Sequence, residues 1–206
     1  MRKETMATNF GEQLMEHRLN LSTLSRELYE DGHLREEDLA RISQSSLVKV
    51  HPLVFLAEQK FPDAAVPGRI LTMDVLLAWL GDRVDQQVYE IDPLKINVSA
   101  ICEVMSRAFA ERHRILAVEV LEDEVVVVSG EPYIRGWESN LEHVLRKRIR
   151  RALADPRAIA RHTAEFYTMA GSVRGAHTRE RVESAIGIGN LCLLYTSDAA
   201  DDSIRV

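Results

Sequence analysis

The chain has 206 residues, with 26 Lys and Arg against 32 Asp and Glu and a net charge of −6. That length suits one to two domains with enough apolar residues for a core. The mild acidity argues against general nucleic-acid binding, and no apolar run approaches the ~20 residues of a membrane-spanning helix.

Met1-Arg2-Lys3 leads into polar sequence, so no secretory leader is expected and the chain reads as soluble and cytoplasmic. Residues 1–20 are expected as a flexible segment. From Leu21 to Ile42, two short helices surround a turn at Asp31-Gly32, with Leu24 and Leu28 sharing a face, as do Leu39 and Ile42. Pro52 to Gln59 reads as another helix, and a second turn-to-helix unit follows Pro67-Gly68. The two units share a spacing: Gly32 precedes Leu34, Leu39 and Ile42 as Gly68 precedes Ile70, Val75 and Ala78, a weak internal repeat. Thr72 is placed to cap the helix carrying Leu76, Leu77, Trp79 and Leu80, and Gly81 to end it. These elements make a helical subdomain over 21–86.

The texture changes in the next stretch, 87–171. Val88 to Ile91 is predicted as a short strand that Pro93 stops, because proline lacks the donor to continue a ladder. A helix opening at Asn97 or Ser99 carries Ile101, Val104, Met105, Ala108 and Phe109 on one face. Ile115 to Val120 and Glu124 to Val128 form a hairpin around Glu122-Asp123. Trp137, Leu141, Val144 and Leu145 make a helical stripe, and Arg148 to Leu153 a strand. Asp155-Pro156 opens a last helix with an acidic N-cap and proline at N1, its stripe being Ile159, Thr163, Phe166, Tyr167 and Ala170 and its end Gly171. The order points to an α+β fold: a small helical N-terminal subdomain, then a compact sandwich of a short mixed β-sheet covered by helices. Residues 172–191 read as a linker or arm.

Residues 192–201 resemble one reading frame of a transposase adapter from DNA sequencing libraries, so 192–206 is read as a non-native tail. That tail carries −2 of the net charge and leaves −4 for the rest. It also leaves Cys102 as the one natural cysteine, which points to a reducing compartment.

Several points along the chain together resemble the N-terminal domain of the type II secretion and type IV pilus assembly ATPases. They are His51-Pro52-Leu53, Leu71-Thr72 with Trp79-Leu80, Ile91 to Ile96, Ile115-Leu116 with Val118, Glu131-Pro132 with Trp137, and Asp155-Pro156 leading to Phe166-Tyr167. Gly187, Ile188, Gly189 and Asn190 resemble the approach to the motor domain of that family. The resemblance implies a docking part rather than an enzyme. It would bind the cytoplasmic domain of the inner-membrane secretion or pilus platform, and so reach the membrane through that partner. The parent would be a homo-hexameric ATPase, with ATP and Mg in a domain beyond this chain. A phosphate-cradling loop needs glycines followed by Lys and Ser or Thr; no Gly-Lys pair occurs here, so no cofactor is expected in the chain itself.

Some relatives bind cyclic di-GMP through two tandem copies of a motif that opens on Arg-Leu-Gly. Leu28, Gly32, Leu34 and Leu39 match the rear of the first copy, and Gly68, Ile70 and Leu76 match the second loosely. Thr23-Leu24-Ser25 stands where the opening belongs, with Arg26 near but out of register. Arg26, Leu28, Gly32, Leu34 and Gly68 are thus the cyclic-dinucleotide candidates.

The docking candidates are Asp92, Lys95, Arg146, Arg148 and Arg150. Asp92 and Lys95 read either as a recognition corner or, preferably, as a strand–turn–helix joint. Arg146, Lys147, Arg148, Arg150 and Arg151 read either as a basic patch for an acidic partner, lipid headgroups or phosphate or, preferably, as a solvated helix end. Use of that stretch on nucleic acid is the third alternative. It lacks interleaved aromatics, and none is expected. No catalytic constellation and no metal-ligand spacing appear among the seven histidines.

Overall fold

The computed structural model describes residues 16–44 and 50–172; over them it has eight helices and a three-stranded mixed sheet, an α+β fold. The expected arm over 173–191 and the tail over 192–206 lie outside the described residues.

Helix α1 (Leu21–Glu30) starts where the Asn20 side chain accepts the Ser22 N–H at 2.8 Å, satisfying one of the helix's orphan donors. Gly32, at φ +79°, then turns the chain, a conformation that costs residues with a Cβ. Helix α2 (Glu36–Ser43) opens on Glu36, Glu37 and Asp38, where negative charge meets the positive end of the helix. Helix α3 (Pro52–Gln59) has His51 as N-cap and proline at N1. Helix α4 (Met73–Val84) follows Thr72, which occupies the N-cap position but makes no side-chain capping bond. Gly81 does not end α4. The helix runs on to Val84 and closes at Asp85, in the left-handed region at φ 51°. Gly81 is inside because a Cβ there would lie 2.8 Å from the Gln86 carbonyl oxygen.

The second half begins with two corrections. Val88 forms a single parallel bridge to Leu153, not a strand. Two bonds fix it, Tyr89 N–H to Leu153 O at 2.7 Å and Leu153 N–H to Gln87 O at 2.8 Å; beyond them the Asp92-Pro93 turn takes the chain away. The predicted helix from Asn97 to Phe109 is two helices, α5 (Val98–Val104) and α6 (Arg107–His113). Met105 is extended, and Ser106 caps α6 by accepting the Phe109 N–H at 3.2 Å. A serine hydroxyl competes with backbone partners in this way. The apolar stripe does not run straight through the break: Ala108 is exposed and Ala110 is the buried residue.

Strands β1 (Ile115–Val120) and β2 (Glu124–Ser129) pair antiparallel, with a bulge between Ala117 and Glu119. Helix α7 (Glu138–Leu145) crosses over to β3 (Arg148–Leu153), which pairs parallel to β2. The strand order is β1-β2-β3. Trp137, at the N-cap of α7, and Leu141 within it are buried, but Val144 is 74% exposed and does not belong to the stripe. Helix α8 (156–172) includes Gly171, which therefore does not end it.

Two apolar clusters result. One holds Leu24, Leu28, Leu53, Leu56, Leu71, Leu76 and Leu80 from α1, α3, α4 and the turn before it. The other holds the valines of β2 with Ile101, Leu116, Trp137 and Phe166. Each fully buried Leu, Val or Phe contributes roughly 1.5–3 kcal/mol before conformational entropy is set against it. Leu153, on β3, belongs to the helical cluster and carries it onto the sheet.

Candidate functional site

The two turn-to-helix units meet turn to turn. Gly68, like Gly32, is left-handed, at φ +82°. The Ala64 N–H donates to His33 O at 3.0 Å, and His33 Nδ1 lies 3.0 Å from Asp63 Oδ1. The Asp63 carboxylate is wholly buried. It also accepts the Ala65 N–H at 2.9 Å and Arg69 Nε–H at 2.6 Å. Burial is the largest influence on it and pushes its pKa up, but the bonds from His33, Arg69 and Ala65 and the nearby His33 charge outweigh burial and hold it below the ordinary value. No sequence pattern signals this network, because an Asp thirty residues from its His has no local relation to it.

The cyclic-dinucleotide candidates separate. Leu28 and Leu34 are buried in the helical cluster, whereas Arg26, Gly32 and Gly68 are exposed. The leucines are committed to packing, so a ligand at these turns would meet Arg26 and backbone.

The basic stretch also separates, because successive side chains of a strand point to opposite faces. Arg150 is held by Glu124 at 3.1 Å, Gln87 at 3.2 Å and Glu119 at 3.3 Å. Arg151, on the other face, is nearly buried and donates to Pro132 O at 2.7 Å; burial lowers its pKa. Lys147 Nζ donates to Leu121 O at 2.6 Å. Arg146, left-handed at the end of α7, and Arg148 are exposed. The Arg148 N–H donates to Asp123 O at 3.0 Å, which holds the start of β3 at the hairpin near the exposed Leu121, while the exposed Val144 lies two residues before Arg146.

The Asp92 corner is ordered. Asp92 Oδ1 accepts the Leu94 N–H at 3.1 Å, its carbonyl accepts the Lys95 N–H at 3.1 Å, and its carboxylate lies 3.2 Å from Lys95 Nζ. The backbone bond to Leu94 and the Lys95 ammonium lower the Asp92 pKa. Leu94, between them, is 95% exposed.

Three motif points far apart in sequence come together where the two halves meet. Gly130 lies against Pro156, and a Cβ on it would sit 2.6 Å from Pro156 Cγ. Glu131, only 7% exposed, accepts the Leu19 N–H at 2.8 Å and places Oε1 3.4 Å from His51 Nε2. His51 Nδ1 accepts the Leu53 N–H, so the ring proton is on Nε2, near Glu131 but without a hydrogen-bond partner among the described residues. Glu16 Oε1 accepts the Arg135 N–H at 2.8 Å, and His17 stacks on Tyr133 at 4.4 Å. Residues 16–20, expected as flexible, are thus strapped across the loop before α7. Beside this junction lies a cleft of about 430 Å³ with Val54, Ala110, Ile159 and Ala160 in its walls.

Residues 84–173 match the family model of the MshEN domain. The type IV pilus assembly ATPase TfpB of Acinetobacter baylyi is 33% identical over 155 residues, covering 73% of this chain; the chain spans about a quarter, 26%, of that relative's length. Among solved structures, MshE with cdg is matched over 73% of this chain and 100% of that one, at 15% identity and a TM-score of 0.46. The N-terminal domain of XpsE is matched over 73% and 98%, at 14% identity and a TM-score of 0.36. Residues 84–173 thus carry an MshEN domain, within a stretch of the chain that is similar to part of a type IV pilus assembly ATPase.

Proposed function

We propose that this chain is the docking domain of a secretion or pilus-assembly ATPase, holding its motor against the cytoplasmic domain of an inner-membrane platform. The observation that carries the reading is the 33% identity to a pilus-assembly ATPase over most of this chain but only 26% of the relative. ATP hydrolysis, magnesium and hexamer formation then belong to the remainder of the parent. None of the described helices is long and apolar enough to cross a membrane, so contact with the membrane goes through the platform. The exposed Arg146 and Arg148, with Leu121 and Val144, combine charge with apolar area, as interfaces do. Titration calorimetry of the 206-residue chain against the platform's cytoplasmic domain tests the reading. Saturable binding supports it, and no heat at high-micromolar concentration overturns it.

A second reading, a cyclic di-GMP sensor, is favoured by the paired left-handed glycines at the two turns. The absent Arg-Leu-Gly opening and the burial of Leu28 and Leu34 weigh against it. Titration with cyclic di-GMP is expected to give no heat, and a saturable signal would establish the sensor.

A further inference from the structure

We propose that copies of this chain join head to tail, the corner at Asp92 to Lys95 of one copy seated in the cleft between α3, α6 and α8 of the next. Leu94 is the most exposed large apolar side chain among the described residues, at 95%. It does not hang on a loose loop: Asp92 fixes the turn through a side-chain and a backbone bond. A backbone turn already ordered in this way loses little freedom on docking, which favours the leucine it presents as an anchor. The cleft offers what such an anchor needs. The exposed Val50 and Ala160 and the half-buried Pro156 line its rim over a floor of the buried Val54, Ala110 and Ile159, and its volume of about 430 Å³ accommodates a leucine with its flanking proline.

The charges match as well. The corner presents Asp92 and Lys95, three residues apart, on either side of Leu94. The cleft wall presents Glu111 and Arg114, also three residues apart, along α6 and its end. Antiparallel seating puts Asp92 against Arg114 and Lys95 against Glu111. Lys95 and Glu111 each hold a solvent-exposed partner of their own chain, Asp92 and Arg107. Such surface pairs exchange partners at little cost. A knob and a hole on different parts of one surface make a heterologous contact, which closes into a ring or grows into a chain. Self-docking of this kind is independent of platform binding.

Sedimentation velocity of the 206-residue chain and two variants tests it. Leu94→Asp removes the knob and Ala160→Trp fills the hole; both positions are exposed, and circular dichroism checks that each variant is folded. The unmodified chain is expected to grow beyond a dimer as its concentration rises to about 1 mM, and each variant alone to stay monomeric. An equal mixture of the two has one intact knob and one intact hole, so it should form dimers and nothing larger. A second pair, Lys95→Glu and Glu111→Lys, should each weaken association and recover it when mixed. A monomeric unmodified chain, or a mixture with no dimer, overturns the proposal. So does a monomeric chain whose platform binding is lost in Ala160→Trp, since the cleft would then seat another protein.

Discussion

Single residues with no slack hold this fold at its joints. Gly130 lies so close to Pro156 that even a methyl group would meet the ring. Gly130→Ala is expected to cost about 1–3 kcal/mol, the range for overpacking, read from the urea midpoint. Asp63 binds the two turns together from a fully buried position; since Arg69 and His33 keep access to solvent, Asp63→Ala should cost about 1–3 kcal/mol, the range for lost hydrogen bonds to a charged group. Its pKa is lowered from 3.8 in the folded chain. Its stabilisation is therefore complete above that pH and is lost as pH falls through the lower folded value; the variant should lose that part of the acid-side decline. Tyr167 has the opposite sign. Burial pushes its pKa up to about 12 from 10.0, and its hydroxyl donates to Met105 O at 2.7 Å. Its contribution is present below pH 10 and lost as pH rises through about 12. Tyr167→Phe should cost about 1 kcal/mol at neutral pH and flatten the alkaline decline.

At the level of the elements, what could be read from the sequence was local. Pro52 to Gln59 and the strands flanking Glu122-Asp123 are where periodicity and turn residues place them, because each answers to its own neighbours. Errors arose where two local signals competed or a distant residue decided. Ser106 carries the cap that splits α5 from α6, yet an uninterrupted apolar stripe concealed it. Ser106→Ala should cost about 1 kcal/mol, visible in thermal unfolding. Gly81 reads as a stop but is a packing glycine, a distinction only Gln86 reveals. The junction was half legible. His51-Pro52, Glu131-Pro132 and Asp155-Pro156 are separate points of resemblance along the chain, but nothing in one dimension says that they converge. The alternation of Ile149, Arg151 and Leu153 with Arg148, Arg150 and Ala152, by contrast, is legible in the sequence, and it sends Arg150 to one face and Arg151 to the other.

For the molecule as a whole, the helical cluster and the sheet are joined in part through Leu153, fully buried and bonded through its backbone to Gln87 and Tyr89. Leu153→Ala is expected to cost about 2–5 kcal/mol and to separate one unfolding transition into two in calorimetry; a single, merely shifted transition would show that the strap and the His51–Glu131 junction suffice. The chain provides its own means of watching this. Its two tryptophans fall one to each half: Trp79 packs partly exposed beside the helical cluster, and Trp137 is 1% exposed against the sheet. Indole light from the shielded ring will be bluer and beyond the reach of iodide, while the other, bonded to Asp31 and capped by Arg83, will be quenched. Replacing either with phenylalanine leaves a colour signal that belongs to one half alone.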